Sequence, residues 1–166
     1  MSEHIYTAGI LTVSDKGAAG EREDVSGEVI KELLQKEGYQ IERYCIVPDE
    51  REDIEKELLH MSDDMGLNLI ITTGGTGFAP RDITPEVAKS VIERETPGIS
   101  EAMRMNSLSV TPKGMLSRGV SGIRGRSLIV NLPGSPKAVR ESLEYILSPL
   151  KHGLEILLGK ASECAR

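Results

Sequence analysis

Three short apolar runs constrain the fold of this chain more than any other feature. They span residues 5–13, 67–73 and 128–132, and a polar loop rich in Gly, Ser or Asp follows each of them. Runs of this length with apolar residues on both faces are typical of strands buried inside a parallel sheet. Because helical patterns alternate with the strands, we expect an α/β fold with three layers, a mostly parallel sheet with helices on both faces.

The remaining elements follow from periodicity and from cap residues. A fourth strand over 39–47 alternates between polar and apolar residues, which suits a sheet edge. Residues 120–132 predict a hairpin that turns at Gly125. Helices are expected over 24–37, 49–64, 84–95 and 96–106, and from Pro136 onward. Thr84 and Ser135 are the expected N-caps, and Pro149 is expected to kink or split the last helix.

Composition narrows the classes of function. The chain has 166 residues, which suits a single domain over 1–166. A net charge of −6 and an aromatic content of 3% argue against a nucleic-acid partner. Residues 1–66 carry 17 acidic and 7 basic side chains, whereas residues 67–166 carry 9 and 13, so an anionic ligand fits the second part better.

Two cysteines and the hydropathy of the chain bear on its location. Cys45 lies in a strand pattern and Cys164 in the C-terminal tail, which does not resemble a disulfide framework. The N-terminus lacks the apolar segment of a signal peptide, and no apolar run approaches the length of a membrane span. The sequence therefore predicts a cytoplasmic protein without a membrane partner.

The segment 72-TTGGTGFAPRDITPEV-87 is the most unusual motif. It lacks the Gly-Lys-Ser/Thr of a P-loop, and its glycine spacing differs from the dinucleotide fingerprint. The backbone N–H groups of Gly74, Gly75 and Gly77, with the Thr76 hydroxyl, could still bind an anion. The alternative is a tight strand-to-helix turn in which glycine supplies a positive φ.

Other candidate residues occupy loops at the predicted carboxyl ends of strands, where ligands bind in such sheets. Asp82 could hold a divalent cation that bridges to phosphate, or it could form an Asx-turn. Asp49 could act with Asp82 if the two meet, although its spacing to Glu52 matches a capping box. The loops Ser14–Asp15 and Pro133–Gly134–Ser135 should lie on the same rim, and the latter is also explained by helix capping.

A second, weaker anion site is suggested in the basic part of the chain. Ser107, Ser117 and Arg118 lie in a segment rich in Ser, Gly and basic residues. Their hydroxyl and guanidinium groups are suitable donors to a phosphate.

Several of these segments occur together, in order, in one family. They include Ser14-Asp15-Lys16, Pro48-Asp49-Glu50, 74-GGTGFAPRDITPE-86, Leu116-Ser117-Arg118 and 132-LPGSPKAV-139. Along nearly its whole length the chain resembles molybdenum cofactor biosynthesis proteins of the molybdopterin adenylyltransferase type, and it is similar to the G domain of gephyrin.

The resemblance implies an enzyme that uses ATP and Mg²⁺ to adenylylate molybdopterin and release pyrophosphate. It implies that Asp49 and Asp82 are catalytic and hold the metal. It implies that Ser14, Asp15, Gly74 to Gly77, Ser117 and Pro133 to Ser135 line the nucleotide and pterin site. It also implies a homotrimer and a transient contact with a molybdate-inserting enzyme.

Three other functions share this domain shape. Molybdate-inserting enzymes contain a similar module within a longer chain, so the present length disfavours them. A nucleotide pyrophosphatase would hydrolyse ATP-like substrates without a pterin. A paralogue could bind molybdopterin without catalysis, and the presence of both Asp49 and Asp82 argues against that function.

Overall fold

A computed structural model describes residues 4–160, and its framework is one six-stranded sheet. The strands are β1 Thr7–Val13, β2 Gln40–Val47, β3 Leu69–Thr73, β4 Arg94–Glu95, β5 Ser121–Arg124 and β6 Ser127–Leu132. Across the sheet their order is β2-β1-β3-β6-β5-β4. The first four strands in this order are parallel, and β5 and β4 continue the sheet antiparallel. β2 therefore forms an edge, as predicted, and β5 and β6 form the expected hairpin, with Gly125 at a φ of 55°.

Helices connect these strands. They are α1 Asp15–Ala18, α2 Val25–Lys36, α3 Arg51–Leu59, α4 Thr84–Val91, α5 Pro97–Val110 and α6 Pro136–Leu157. A π-helical turn, His60–Asp64, continues α3, and a 3-10 helix, Pro112–Leu116, follows α5. Within residues 4–160, no helix combines the length and hydropathy that a membrane span requires.

The sheet separates two hydrophobic cores. Ile10 of β1 packs with α2 and α6, whereas its neighbour Leu11 packs with α3 and α4. β3 repeats the pattern, with Ile71 in the first core and Ile70 in the second. Successive side chains of a strand point to opposite faces, so these runs bury both faces of the sheet. The predicted three-layer α/β fold is confirmed.

Two predicted helix ends were wrong. The helix predicted to reach residue 95 ends at Val91, because Arg94–Glu95 leave the helical path and pair with β5. The helix predicted to end near residue 106 continues to Val110. It stops there because Thr111 precedes Pro112 and is held in an extended conformation, at φ −153° and ψ 140°.

The predicted split of the last helix at Pro149 does not occur, because α6 runs unbroken from Pro136 to Leu157. Pro149 is exposed, while its neighbours Ile146, Leu147 and Leu150 are buried in the core. Apolar burial on both sides of the proline therefore offsets the hydrogen bond that its ring nitrogen cannot donate.

Cys45 carries a free thiol beneath α3. Its Sγ donates to Glu57 Oε2 over 3.4 Å, and burial raises the pKa of this thiol to about 12. This partly buried thiol packs against the core on the α3 side of the sheet and is unreactive. Cys164 lies outside the described residues.

Candidate active site

The carboxyl ends of the four parallel strands lie side by side at one rim of the sheet. Val13 pairs with Val47, and Thr73 pairs with both Thr12 and Leu132. The loops that follow these strands therefore emerge together and line a cavity of about 850 Å³, hereafter the rim cavity. Of the predicted site residues, this cavity contains Ser14, Asp15, Asp49, Gly74, Gly75, Asp82, Gly134 and Ser135.

The loop between β3 and α4, residues 74–83, is hereafter the glycine loop. A second cavity of about 300 Å³ lies on its other side and is hereafter the hydroxyl cavity. It contains the remaining predicted residues Thr76, Gly77, Ser117 and Pro133. Its other polar walls include Ser100, Arg104, Ser107, Thr111 and Lys113. The segment Gly74–Gly77 is consequently a wall shared by two cavities, which the sequence did not indicate.

Asp15 and Asp49 exchange backbone and side-chain hydrogen bonds. The Asp15 N–H donates to Asp49 Oδ2, and the Asp49 N–H donates to Asp15 Oδ1, each over 3.0 Å. This reciprocal pair ties the loop after β1 to the loop after β2. It fixes the direction in which the Asp49 carboxylate faces the rim cavity.

Arg81, which lies in the glycine loop, also contacts these two aspartates. Its Nε and Nη2 donate to the two carboxylate oxygens of Asp15 over 2.7 and 3.0 Å. Nη2 also donates to Glu50 Oε1 over 2.7 Å and to the Asp49 carbonyl oxygen over 3.2 Å. The guanidinium holds the pKa of Asp15 below its usual range, helped by the Asp49 N–H. Asp15 is therefore an anion that orients its neighbours.

Asp49 does not have the capping role that its spacing to Glu52 suggested. The N-cap of α3 is Glu50, which makes no side-chain cap bond, and Asp49 Oδ2 is occupied by Asp15. Burial, together with the charges of Asp15 and Asp82, raises the pKa of Asp49 above its ordinary value. Desolvated carboxylates that repel one another are typical of functional sites.

The glycine loop needs glycine at two positions. Gly74 and Gly75 have φ values of 94° and 67°, in the left-handed region. A Cβ on Gly74 would lie 2.3 Å from the Val13 carbonyl oxygen, so this glycine also permits the loop to pass close to β1. The predicted tight turn is present, and it leads the loop between the two cavities.

Thr84 was wrongly predicted as an N-cap. The cap residue of α4 is Ile83, and Thr84 is the first helical residue. Its N–H donates to the Gly75 carbonyl oxygen over 3.2 Å, and its buried Oγ1 has no hydrogen-bond partner among the described residues. Capping fails because the backbone of Thr84 is committed to the glycine loop.

Asp82 stabilises the turn that precedes α4. Its Oδ2 accepts from the Ala79 N–H over 3.0 Å, and its own N–H donates to the Ala79 carbonyl oxygen over 2.9 Å. The predicted Asx-turn toward Thr84 is not formed, because this bond reaches back to Ala79 while the Thr84 N–H donates to Gly75. Oδ1 accepts no hydrogen bond from residues 4–160 and is free to bind a ligand.

The loop after β6 begins α6 as predicted. Ser135 Oγ accepts from the Ala138 N–H over 3.2 Å and so caps the helix. Ser26 donates to the Gly134 carbonyl oxygen and Thr73 donates to the Pro133 carbonyl oxygen, each over 2.6 Å. These bonds occupy the carbonyl groups and hold the α6 N-terminus at the edge of the rim cavity, where it attracts anions.

Two residues of these cavities were not among the predicted site residues, although Asp24-x-x-Gly27 is one of the segments that resemble the family. Asp24 caps α2 through the Gly27 N–H and also accepts from the Thr12 hydroxyl over 2.6 Å, at the wall of the rim cavity. Arg104 enters the hydroxyl cavity. Its position four residues after the buried Ser100 places it on the inward face of α5, and this spacing could have identified it.

Arg118 does not serve the second anion site to which it was assigned. Its guanidinium donates to the carbonyl oxygens of Gly77 and Asp82 over 2.8 and 2.6 Å and contacts Glu86. The donors of Arg118 are occupied by the glycine loop, whereas Ser107 and Ser117 do line the hydroxyl cavity. Arg104 and Lys113 are the cations of that cavity.

The rim cavity has the composition expected for a phosphate-bound Mg²⁺ ion. No three His, Cys, Asp or Glu side chains within residues 4–160 form a complete metal site. Mg²⁺ in nucleotide enzymes is commonly held by one or two carboxylates, with substrate phosphates and water as the other ligands. Asp49 and Asp82 interact electrostatically across the cavity, and neither Oδ1 accepts a hydrogen bond from the described residues. Two open carboxylates fit such an ion.

The charge of the rim cavity also favours a cation when an anion binds. Five acidic and three basic residues line this cavity. The acids are Asp15, Glu23, Asp24, Asp49 and Asp82, and the bases are Lys16, Arg22 and Arg81. A triphosphate would meet a net negative surface there unless a divalent cation accompanied it.

Comparison with known proteins agrees with this architecture. Residues 9–152 match the sequence profile of a family described as probable molybdopterin binding domain. A molybdopterin adenylyltransferase of Helicobacter pylori is 46% identical over 155 residues, covering 91% of this chain and 87% of that protein. Gephyrin of Dictyostelium discoideum is 40% identical over 168 residues, covering 95% of this chain and 23% of gephyrin.

A solved structure extends the likeness to three dimensions. The molybdopterin biosynthesis enzyme MoaB of Thermus thermophilus superposes with a TM-score of 0.89 at 51% identity, covering 95% of this chain and 99% of that chain. Because the profile and these relatives align along most of its length, this chain belongs to the molybdopterin-binding domain family of molybdenum cofactor biosynthesis proteins.

Proposed function

We propose that this protein is a nucleotidyltransferase that adenylylates molybdopterin with ATP in molybdenum cofactor biosynthesis. The names of its relatives support this activity. The observation that carries it here is the glycine loop, which forms the common wall of two cavities and lies beside Asp49 and Asp82. An enzyme that joins two phosphorylated molecules needs two adjacent sites of this kind.

ATP occupies the rim cavity in this proposal. A volume of about 850 Å³ and the N-terminus of α6 suit a nucleotide with its phosphate chain. The pterin occupies the hydroxyl cavity, where Arg104, Lys113 and several hydroxyl groups can bind its polar ring and phosphate. The two phosphates then approach each other along Gly74–Gly77.

The reaction is one in-line displacement. A terminal phosphate oxygen of molybdopterin attacks the α-phosphorus of ATP, a new P–O–P bond forms, and the bond from the α-phosphorus to the bridging oxygen breaks to release pyrophosphate. A phosphate monoester is already ionised at neutral pH, so no strong general base is required. The protein contributes position and charge compensation through the backbone N–H groups of the glycine loop.

Asp49 and Asp82 would hold Mg²⁺. When bound, Mg²⁺ neutralises phosphate oxygens and compensates the charge of the leaving pyrophosphate. Asp15 and Arg81 orient Asp49, and the Ala79 N–H orients Asp82, so each carboxylate keeps one oxygen for the ion.

Incubation of the purified protein with ATP, Mg²⁺ and molybdopterin tests this function. We expect adenylylated pterin and an equal amount of pyrophosphate, and no product when Mg²⁺ is omitted. Asp82→Ala should lose product formation by at least about 100-fold because it removes a phosphate-compensating ligand, while pterin binding persists. Asp53→Ala, a change at an exposed acid of α3, is the matched control and should retain full activity.

Two outcomes would contradict the proposal. ATP hydrolysis that does not depend on the pterin would favour a nucleotide pyrophosphatase. Pterin binding without any adenylylation by the wild-type protein would favour a non-catalytic paralogue.

The family also suggests the domain organisation, oligomeric state, location and downstream partner of this enzyme. We infer that residues 1–166 form one molybdopterin-binding domain, that the chain acts as a homotrimer in the cytoplasm, and that its product passes to a molybdate-inserting enzyme. Exposed apolar side chains support self-association, among them Met105, Val110 and Tyr145 with exposed fractions of 71%, 53% and 55%.

A further inference from the structure

Arg118 binds the glycine loop at both of its ends. The residue follows the 3-10 helix, and its N–H donates to the Thr76 carbonyl oxygen over 2.9 Å. Its Nε donates to the Gly77 carbonyl oxygen over 2.8 Å and its Nη2 to the Asp82 carbonyl oxygen over 2.6 Å. One side chain thus fixes the distance between the two ends of segment 77–82, which carries the candidate metal ligand Asp82.

The geometry requires arginine. A guanidinium presents five donors in a planar fork and can reach two separate carbonyl groups and a carboxylate at once, whereas a lysine ammonium cannot span them. The third partner is Glu86 in the first turn of α4. Burial alone would raise the pKa of Glu86, but the hydrogen bond from Arg118, the backbone hydrogen bond of Glu86 itself and the charge of Arg118 together outweigh it, so the pKa lies below its ordinary value. The pair therefore remains charged at neutral pH.

The neighbours of Arg118 belong to the other cavity. Ser117 and Gly119 line the hydroxyl cavity, while Arg118 lines neither cavity. Arg104 of the hydroxyl cavity donates to the carbonyl oxygens of Gly119 and Ser117 over 2.8 and 3.4 Å. A continuous path of hydrogen bonds thus runs from Arg104 through residues 117–119 to the loop of Asp82.

We propose that Arg118 is a positioning residue that couples the two cavities, so that a ligand in the hydroxyl cavity fixes Asp82 and the glycine loop for nucleotide binding in the rim cavity. This inference rests on the proposed function for the identity of the two ligands. A ligand that binds the Arg104 guanidinium affects residues 117–119, because Arg104 donates to the carbonyl oxygens of Ser117 and Gly119. Arg118 transmits this effect to Asp82, because its guanidinium donates to the Asp82 carbonyl oxygen. Binding of the pterin and of the nucleotide should therefore be cooperative.

The test measures the affinity for one ligand in the presence of the other. The nucleotide probe is an ATP analogue with a methylene group between the α- and β-phosphorus atoms, supplied with Mg²⁺ and titrated with and without molybdopterin. In the wild-type protein we expect molybdopterin to tighten analogue binding by about 5-fold or more. In Arg118→Lys this coupling should fall to about 1-fold, while the affinity for molybdopterin alone should change by less than about 3-fold, since Arg118 does not line the hydroxyl cavity.

Two further variants separate this role from a general effect on folding. Arg124→Lys is the matched control, because Arg124 also bonds a carbonyl oxygen and a carboxylate, those of Val91 and Asp63, away from both cavities. It should retain full coupling. Glu86→Gln, at a side chain that is 53% exposed, should weaken coupling without unfolding the protein and so carries the test if Arg118→Lys does not fold.

The outcomes are distinct from those of the proposed function. A wild-type protein that forms no adenylylated pterin refutes the function. An active wild-type protein whose two affinities are independent, or variants Arg118→Lys and Glu86→Gln that couple as strongly as Arg124→Lys, would overturn the role of Arg118 alone.

Discussion

At the scale of single residues, burial and neighbouring carboxylates raise the pKa of Asp49, so the fold disfavours its charged form. Asp49 is partly buried beside two other acids, and its carboxylate is held by one backbone donor, while Arg81 directs its charge to Asp15. A purely structural position would favour a neutral side chain here. The presence of an aspartate is explained if a cation or a phosphate-bound metal binds at this carboxylate.

Asp49→Asn should therefore raise the melting temperature at pH 7 while it lowers adenylyltransferase activity. The folded-state pKa of Asp49 is raised above an unfolded value of about 3.9. Stability contributed by the protonated acid is fully present below the unfolded pKa and is lost as pH rises through the folded pKa. The gain from asparagine should thus grow across this window and then stay constant.

Thermal unfolding of both proteins between pH 3.5 and 8, at values chosen to span about 3.9 and the region above it, measures this difference. A wild-type advantage in melting temperature over Asp49→Asn that grows as pH rises above about 3.9 would show that the charged form is stabilising. Asp53→Asn, which removes an exposed carboxylate of α3 outside both cavities, supplies the matched control.

At the scale of secondary-structure elements, the site depends on how β3 turns into α4. The turn reverses direction over Gly74 and Gly75, returns through the Ala79–Asp82 hydrogen bonds and enters the helix at Thr84. Only residues without a Cβ permit the close approach of this turn to β1. This close approach places the loop between the two cavities.

Gly74→Ala should destabilise the protein by about 2 kcal/mol or more, because it adds left-handed strain to a contact with backbone. The new Cβ would lie 2.3 Å from the Val13 carbonyl oxygen, an atom that cannot move without shifting β1. Urea unfolding measures the loss. Gly98→Ala in α5, where nothing lies within 4 Å of an added Cβ, is the matched control and should be neutral or slightly stabilising.

Pro149→Ala should stabilise the protein, whereas Gly74→Ala should destabilise it. Pro149 is exposed within an unbroken helix, so alanine can restore a backbone donor and a better helix former without loss of core packing. We expect the free energy of unfolding to rise by about 1–3 kcal/mol. A decrease in urea denaturation would instead show that the proline makes a contact needed for stability.

At the scale of the whole molecule, strand register brings the site together. Four parallel strands end at the same rim, so residues 14, 49, 82 and 134 line one cavity although they are far apart in sequence. The same architecture leaves apolar side chains of α5 and α6 on the surface. These belong to the face where self-association is expected.

Light scattering after size-exclusion chromatography tests the proposed trimer. We expect a mass three times the 18.1 kDa of one chain, independent of protein concentration in the micromolar range. A constant mass of one chain would exclude a trimer. Tyr145→Lys, at a side chain that is 55% exposed, should lower the mass if α6 contributes to the interface and should leave the fold of each chain intact.

The local sequence predicted the strands and helices that form the three layers, because apolar periodicity and cap residues act through neighbours a few positions apart. Apolar runs identified the buried strands, alternation of polar and apolar residues identified β2 as an edge strand, and Ser135 is the N-cap of α6 as predicted. Topology rules then sufficed to bring Asp49 and Asp82 to one rim.

Tertiary structure decided what local patterns could not distinguish. Capping patterns at Asp49 and Thr84 were overridden because Asp15 and Gly75 compete for the same groups, and Pro149 was accommodated because core packing outweighed one hydrogen bond. Arg118 faces the glycine loop, not a ligand, because its partners lie more than thirty residues away in the chain. Which way a side chain points, and which of two cavities it serves, depends on neighbours that only the folded chain assembles.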